Sequence, residues 1–148
     1  MKKPKLLIVG AFPPPGRKIF GGIVTSCRSL LDSSFSRQFE LILVDSTQVS
    51  NPPPLFAKRL WLALVRFLKY LHVLRRNRPD AVMIFASSGA SLAEKGLMVR
   101  ICRLMQVPVL IFPRSGRIMD DFKILRMSRA ISRFALGGAT RVLCQGKR

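Results

Sequence analysis

Short, continuous apolar runs separated by stretches of helical periodicity constrain this chain more than any other feature. They are Lys5-Leu6-Leu7-Ile8-Val9-Gly10, Phe39-Glu40-Leu41-Ile42-Leu43-Val44-Asp45, Ala81-Val82-Met83-Ile84-Phe85-Ala86, Pro108-Val109-Leu110-Ile111-Phe112 and Thr140-Arg141-Val142-Leu143-Cys144. A strand that is apolar on both faces belongs in a parallel sheet covered by helices, whereas a half-solvated strand alternates polar with apolar. Between the first two runs, Ile23, Val24, Cys27, Leu30 and Leu31 recur at the spacing of one helix face, which predicts a helix from about 22 to 33 or 34. A longer helical pattern fills residues 55–78, a third ends near Gln106, and a fourth carries Ile124, Met127, Ile131, Phe134 and Ala135 on one face. Strands alternating with helices predict an α/β fold, a doubly wound parallel sheet with right-handed crossovers, and 148 residues suffice for one such domain.

The first run feeds the most suggestive loop. After Gly10 come Phe12-Pro13-Pro14-Pro15-Gly16 and then Gly21-Gly22, where the first helix opens. Without a Cβ, Gly21 and Gly22 let backbone N–H groups approach an anion, which the helix dipole also favours; a glycine turn that merely closes a loop is the plainer reading. Two nucleotide motifs fail here. Residues 10–18 resemble a P-loop but have one residue too many between the glycines, Arg17 before Lys18, and Ile19 where a hydroxyl must reach Mg²⁺. The G-x-G-x-x-G of dinucleotide sites is absent as well, so neither ATP hydrolysis nor dinucleotide redox chemistry is favoured.

Charge points to a polyanionic partner. Lys and Arg number 26 against 7 Asp and Glu, a formal net charge of +19, and such an excess cannot be neutralised internally. Phosphates, an anionic membrane surface and nucleic acid all answer it, and so does a merely solvated basic surface. In residues 55–78, wound at about 100° per residue, Lys58, Arg59, Arg66, Lys69, His72 and Arg76 share a stripe, while Leu60, Leu64, Phe67, Leu71 and Leu74 lie opposite. Its longest uncharged run, 60–65, is far short of the roughly 20 apolar residues a membrane span needs. The expectation is a helix packed on the sheet with a basic outer face, or one lying in a membrane interface with Trp61, Phe67 and Tyr70 as anchors. Lys58, Arg59, Trp61, Arg66, Phe67, Lys69 and Arg76 are thus the membrane-facing candidates, and Arg126, Arg129 and Arg133 form a second basic stripe on the fourth helix.

The three cysteines, Cys27, Cys102 and Cys144, sit far apart in apolar segments, which reads as buried thiols in a reducing cytoplasm. With His72 the only histidine, no His and Cys metal cluster is expected. Lys2 and Lys3 before the first apolar run faintly mimic a signal peptide, but the proline triplet follows at once and no small-residue cleavage site appears. In doubly wound sheets, ligands bind beyond the carboxyl ends of the strands, so the loops after Phe12, Ala86 and Phe112 are the candidate site. They hold Ser87, Ser88, Arg114, Ser115 and Gly116 but no carboxylate pair and no Ser/His or Cys/His arrangement, since His72 lies on a helix and Asp120-Asp121 lead into the fourth helix.

The strand Leu6-Leu7-Ile8-Val9-Gly10, the turn Phe12-Pro13-Pro14-Pro15, the Gly21-Gly22 pair and a helix with Leu30-Leu31 resemble the opening of family 4 glycosyltransferases. The likeness continues over the whole chain, through the long helix, Arg78-Pro79-Asp80-Ala81-Val82 and Val107-Pro108-Val109, although only the Pro-Pro and Gly-Gly opening is specific. This resemblance implies the N-terminal, acceptor-side Rossmann-like domain of a GT-B fold, over residues 1–148, with a second donor-binding domain and its paired glutamates outside them. It implies a retaining enzyme that transfers a sugar from a nucleotide-sugar to a lipid-linked or polysaccharide acceptor at the cytoplasmic membrane face, without a metal or other cofactor and inactive in this portion alone. Gly21 and Gly22 would then meet the donor diphosphate, and Ser87 and Ser88 would line the acceptor pocket unless they simply cap a helix. Many relatives place a histidine near the donor sugar after the fourth strand; here Arg114-Ser115-Gly116 stand there, where Arg114 could hold a phosphate or an acidic acceptor or meet solvent. The rival class is a non-enzymatic basic module that grips nucleic acid or a membrane surface. Against nucleic acid, aromatics are not interleaved with the basic residues and no helix-turn-helix spacing appears.

Overall fold

The computed structural model describes residues 2–14, 21–47, 55–115 and 126–144. It is an α/β protein whose strands β1 (Lys5–Gly10), β2 (Glu40–Asp45), β3 (Ala81–Ala86), β4 (Val109–Pro113) and β5 (Arg141–Val142) make a five-stranded parallel sheet in the order β2-β1-β3-β4-β5. The described helices are α1 (Gly22–Asp32), α2 (Phe56–Asn77), α3 (Ala90–Leu104) and α4 (Arg126–Leu136). The chain divides into two compact units, Met1–Pro79 and Asp80–Arg148.

In the first unit, β1 is the core. Leu7, Ile8 and Val9 are fully buried, as a strand apolar on both faces requires. It pairs in parallel with β2 from Lys5 beside Glu40 to Gly10 beside Asp45, and this register decides which side chains reach the loop after β1. Helix α1 packs on β1 with Val24 and Cys27 buried. It ends at Asp32, and a short 3-10 turn, Ser34–Gln38, follows where the sequence pattern is silent. In β2 only Val44 is buried, so the second apolar run, unlike the first, leaves Leu43 exposed.

Helix α2 departs from expectation. Its buried residues are Tyr70 and Leu74, both 0% exposed, and it packs against β2. Tyr70 is therefore a core residue and not a membrane anchor, while Leu60 and Leu64, expected to face the sheet, are exposed. The reason is geometric: at about 100° per residue Tyr70 lies between the expected apolar and basic stripes, so the helix is rolled toward Arg66 relative to the sequence reading. Arg78, in the left-handed conformation at φ 46°, closes the helix by donating its N–H to Leu74 O at 3.2 Å.

In the second unit, β3 is buried from Val82 to Ala86 and pairs with β4 from Val82 beside Val109 to Ala86 beside Pro113. The shorter β5 pairs Arg141 with Leu110 and Val142 with Ile111. Both β5 residues are exposed, and Cys144 beyond them is exposed too, which corrects the expectation of three buried thiols; a short terminal strand has too little cover to enclose it. Cys27 and Cys102 are buried.

Helices α3 and α4 touch where Gly96 faces Ala135. That small-residue contact selects the packed face of α4, with Ala135 and Ser132 buried and Ile131 half-buried, whereas Met127 and Phe134, expected on the apolar face, are exposed. Phe134 instead carries the Arg100 guanidinium 4.9 Å above its ring, and Arg100 Nε donates to the Phe134 carbonyl at 3.2 Å. Ile124 lies outside the described residues. Lys95 is the one buried lysine among the described residues and pairs with Glu94 at 3.3 Å.

Candidate functional site

The loop after β1 and the loops after β3 and β4 fall in different units, and each is built differently. In the first, the β1 and β2 register puts Asp45 beside Gly10, and the Asp45 carboxylate closes the loop from below. Its Oδ1 accepts the Phe12 N–H at 2.9 Å and the Thr47 N–H at 2.9 Å, and also takes the Thr47 hydroxyl. Ser46 adds two donations to the Gly10 carbonyl, from its N–H at 2.7 Å and its hydroxyl at 3.0 Å. The chain therefore leaves β1 along a direction held by Asp45 and Ser46, with Thr47 bonded to the Asp45 carboxylate. Residues 15–20, which include the Arg17-Lys18-Ile19 segment tested against the P-loop pattern, lie outside the described residues.

Helix α1 then starts at Gly21-Gly22, both exposed. Its first turn holds no acidic residue and no side chain caps it. Thr25 and Ser26, which could have been turned toward the helix start, donate their hydroxyls backward to the Gly21 and Gly22 carbonyls at 3.3 and 2.7 Å. Neither glycine is demanded by the fold. Gly21 has extended backbone at φ 167°, which any residue adopts, and among the described residues a Cβ at either position would meet nothing within 4 Å. The backbone conformation and the described neighbours thus leave either position open to a side chain.

In the second unit the strand ends of β3 and β4 are adjacent, and the Arg114 N–H continues the ladder by donating to the Ala86 carbonyl at 2.8 Å. This brings Arg114 and Ser115 beside Ser87 and Ser88, all half-buried; Gly116 lies outside the described residues. The Arg114 guanidinium lies 5.3 Å over the Phe112 ring, which in turn packs on Phe85 with centroids 5.4 Å apart. An arginine seated on an aromatic face loses freedom in its stem, and its planar fork has the geometry that suits phosphate or carboxylate recognition. Beside it α3 begins, also without a side-chain cap or an acidic first turn. Here the glycine is required: Gly89 has φ +64°, and through it the chain turns from β3 into the helix. Ser87 and Ser88 are not caps of α3, because Gly89 occupies the capping position and no side chain bonds there.

Of the membrane-facing candidates, Lys58, Arg59, Trp61, Lys69 and Arg76 are exposed, while Arg66 and Phe67 are half-buried by the roll of α2. On α4, Arg126 and Arg133 are exposed and Arg129 is half-buried. Sequence reasoning missed Asp45, whose contact with Phe12 spans 33 residues; the signal was the polar run Asp45-Ser46-Thr47 directly after an apolar strand. Among the described residues, no three His, Cys, Asp or Glu side chains gather as a metal site would need. Compared with models of known protein families and with characterised proteins, the sequence matches none.

Proposed function

We propose that this chain is the acceptor-side, N-terminal part of a retaining glycosyltransferase that acts at the cytoplasmic membrane face on a lipid-linked or polysaccharide acceptor. The observation that carries the reading is the Gly21-Gly22 pair: two glycines that neither backbone conformation nor any neighbour among the described residues calls for, at a helix start that no described side chain caps, in the connection after the first buried strand. Glycine there serves something that must come close to the backbone, and a helix N-terminus favours an anion such as the diphosphate of a nucleotide-sugar. Arg114, seated on Phe112 next to Ser87 and Ser88, would hold a phosphate or an acidic acceptor. Catalysis then needs a second, donor-binding domain, and the coding sequence beyond Arg148 should encode one with an E-x7-E pattern.

The test is transfer kinetics in the enzyme carrying both domains. Gly22→Val should raise the donor KM or lower kcat by about tenfold or more, because a branched side chain blocks close approach. Its thermal midpoint should match wild type, since among the described residues a Cβ at Gly22 meets nothing within 4 Å. Unchanged kinetics would reduce Gly22 to a turn residue. Salt-sensitive binding to duplex DNA, tighter than to anionic vesicles, would instead favour the rival reading as a basic nucleic-acid module.

A further inference from the structure

Helix α2 carries a second apolar seam that the fold leaves uncovered. Trp61, Leu64, Val65 and Leu68 stand at i, i+3, i+4 and i+7, the spacing of one helix face, and are 64%, 46%, 44% and 54% exposed. They cluster on the side turned away from Tyr70 and Leu74, which are fully buried. Leu60, 63% exposed and four residues before Leu64, extends the apolar surface toward the start of the helix. Scattered exposed leucines need no explanation, but a contiguous seam at core spacing does.

The charges beside the seam decide what covers it. Every charged residue of α2 is basic: Lys58, Arg59, Arg66, Lys69, Arg75 and Arg76. At about 100° per residue, Lys58, Lys69 and Arg76 run along the Val65 edge of the seam, and all three are exposed. A second copy of the chain would bring an equally basic helix against this one, with no acid on either to pair it. The surface that answers both features at once is an anionic lipid leaflet, with acyl chains for the seam and negative headgroups for its flank. No described helix is long and apolar enough to cross a membrane, so the arrangement left is a helix lying in the interface plane.

We propose that α2 inserts its outward seam, Trp61, Leu64, Val65 and Leu68, into an anionic leaflet while Lys58, Lys69 and Arg76 engage the headgroups. This rests on the membrane-face part of the function proposed above and assigns the residues that do it. They replace the expected anchors Tyr70, which is in the core, and Phe67, which is half-buried.

The test uses the 148-residue chain and its single tryptophan. Trp61 emission should shift to the blue on phosphatidylglycerol vesicles and stay unchanged on phosphatidylcholine, and a fraction of the binding should survive high salt. Leu64→Ser with Leu68→Ser should remove the blue shift and the salt-resistant fraction, lowering the partition coefficient on the order of tenfold, while the thermal midpoint falls only slightly, because both side chains are about half solvated in the fold. Lys58→Gln, Lys69→Gln and Arg76→Gln together should weaken binding mainly at low salt. The inference is overturned if Trp61 emission ignores phosphatidylglycerol, if both lipids act alike, or if the serine variant binds as wild type does. Dimerisation that the serine variant abolishes, with no lipid response, would assign the seam to a second copy and overturn it too. In the enzyme carrying both domains, failure of the wild-type seam to insert while transfer to a soluble acceptor is intact would sink this inference alone, whereas insertion without any transfer activity would sink the glycosyltransferase reading alone.

Discussion

At the residue scale, the most consequential contacts lie at the end of β1. A Cβ at Gly10 would stand 2.5 Å from Cys27 Sγ and 3.1 Å from two atoms of the Phe12 ring. Gly10→Ala should therefore destabilise the chain by about 1–3 kcal/mol, the usual cost of overpacking a filled core. Cys27 is 1% exposed, so its sulfur has nowhere to go. Removing it by Cys27→Ala opens room, and the double variant should recover part of the Gly10→Ala loss; a coupling energy near zero in urea unfolding would show that Cys27 is not what confines Gly10. Asp45 works on the same loop by a different means, holding the Phe12 amide through a carboxylate oxygen that also serves Thr47. At this strand end the Cys27 sulfur confines Gly10 and the Asp45 carboxylate holds the Phe12 amide.

At the scale of the elements, the contact between α3 and α4 gives a prediction in which two effects compete. An alanine at Gly96 would improve helix propensity by about 1 kcal/mol. Its Cβ would also stand 2.9 Å from Ala135 Cβ and 3.0 Å from Ala135 Cα, and a backbone atom cannot rotate away. Overpacking of about 1–3 kcal/mol should win, so Gly96→Ala lowers the thermal midpoint and Gly96→Val lowers it further; a rise for Gly96→Ala would mean that the helices separate freely. The strands were legible in the sequence because buried parallel strands read as unbroken apolar runs, and β1 and β3 match their runs residue for residue. The roll of α2 was not, for a specific reason: apolar residues occupy two seams of that helix, and periodicity alone cannot say whether Tyr70 and Leu74 or Trp61 and Leu64 meet the sheet. The Gly21-Gly22 opening was legible as a motif, while the Asp45 clamp depends on a strand register that joins residues far apart in sequence.

At the scale of the whole molecule, the charge of +19 opposes the compact state, since like charges are brought together on folding. Added salt screens that repulsion. The thermal midpoint should rise between low and high salt, by about 2–4 °C for each 1 kcal/mol relieved in a chain of this size, and a midpoint that does not move would mean that the basic residues are already too far apart to interact. The seam on α2 gives the same salt a second effect. At low ionic strength the cations of the helix hold neighbouring molecules apart and keep the seam's oily side from meeting its like; once they are screened, nothing on that face resists coalescence. Light scattering should therefore grow over the same range in which the midpoint climbs, so that for this protein the conditions that favour each folded molecule are the ones that cloud its solution.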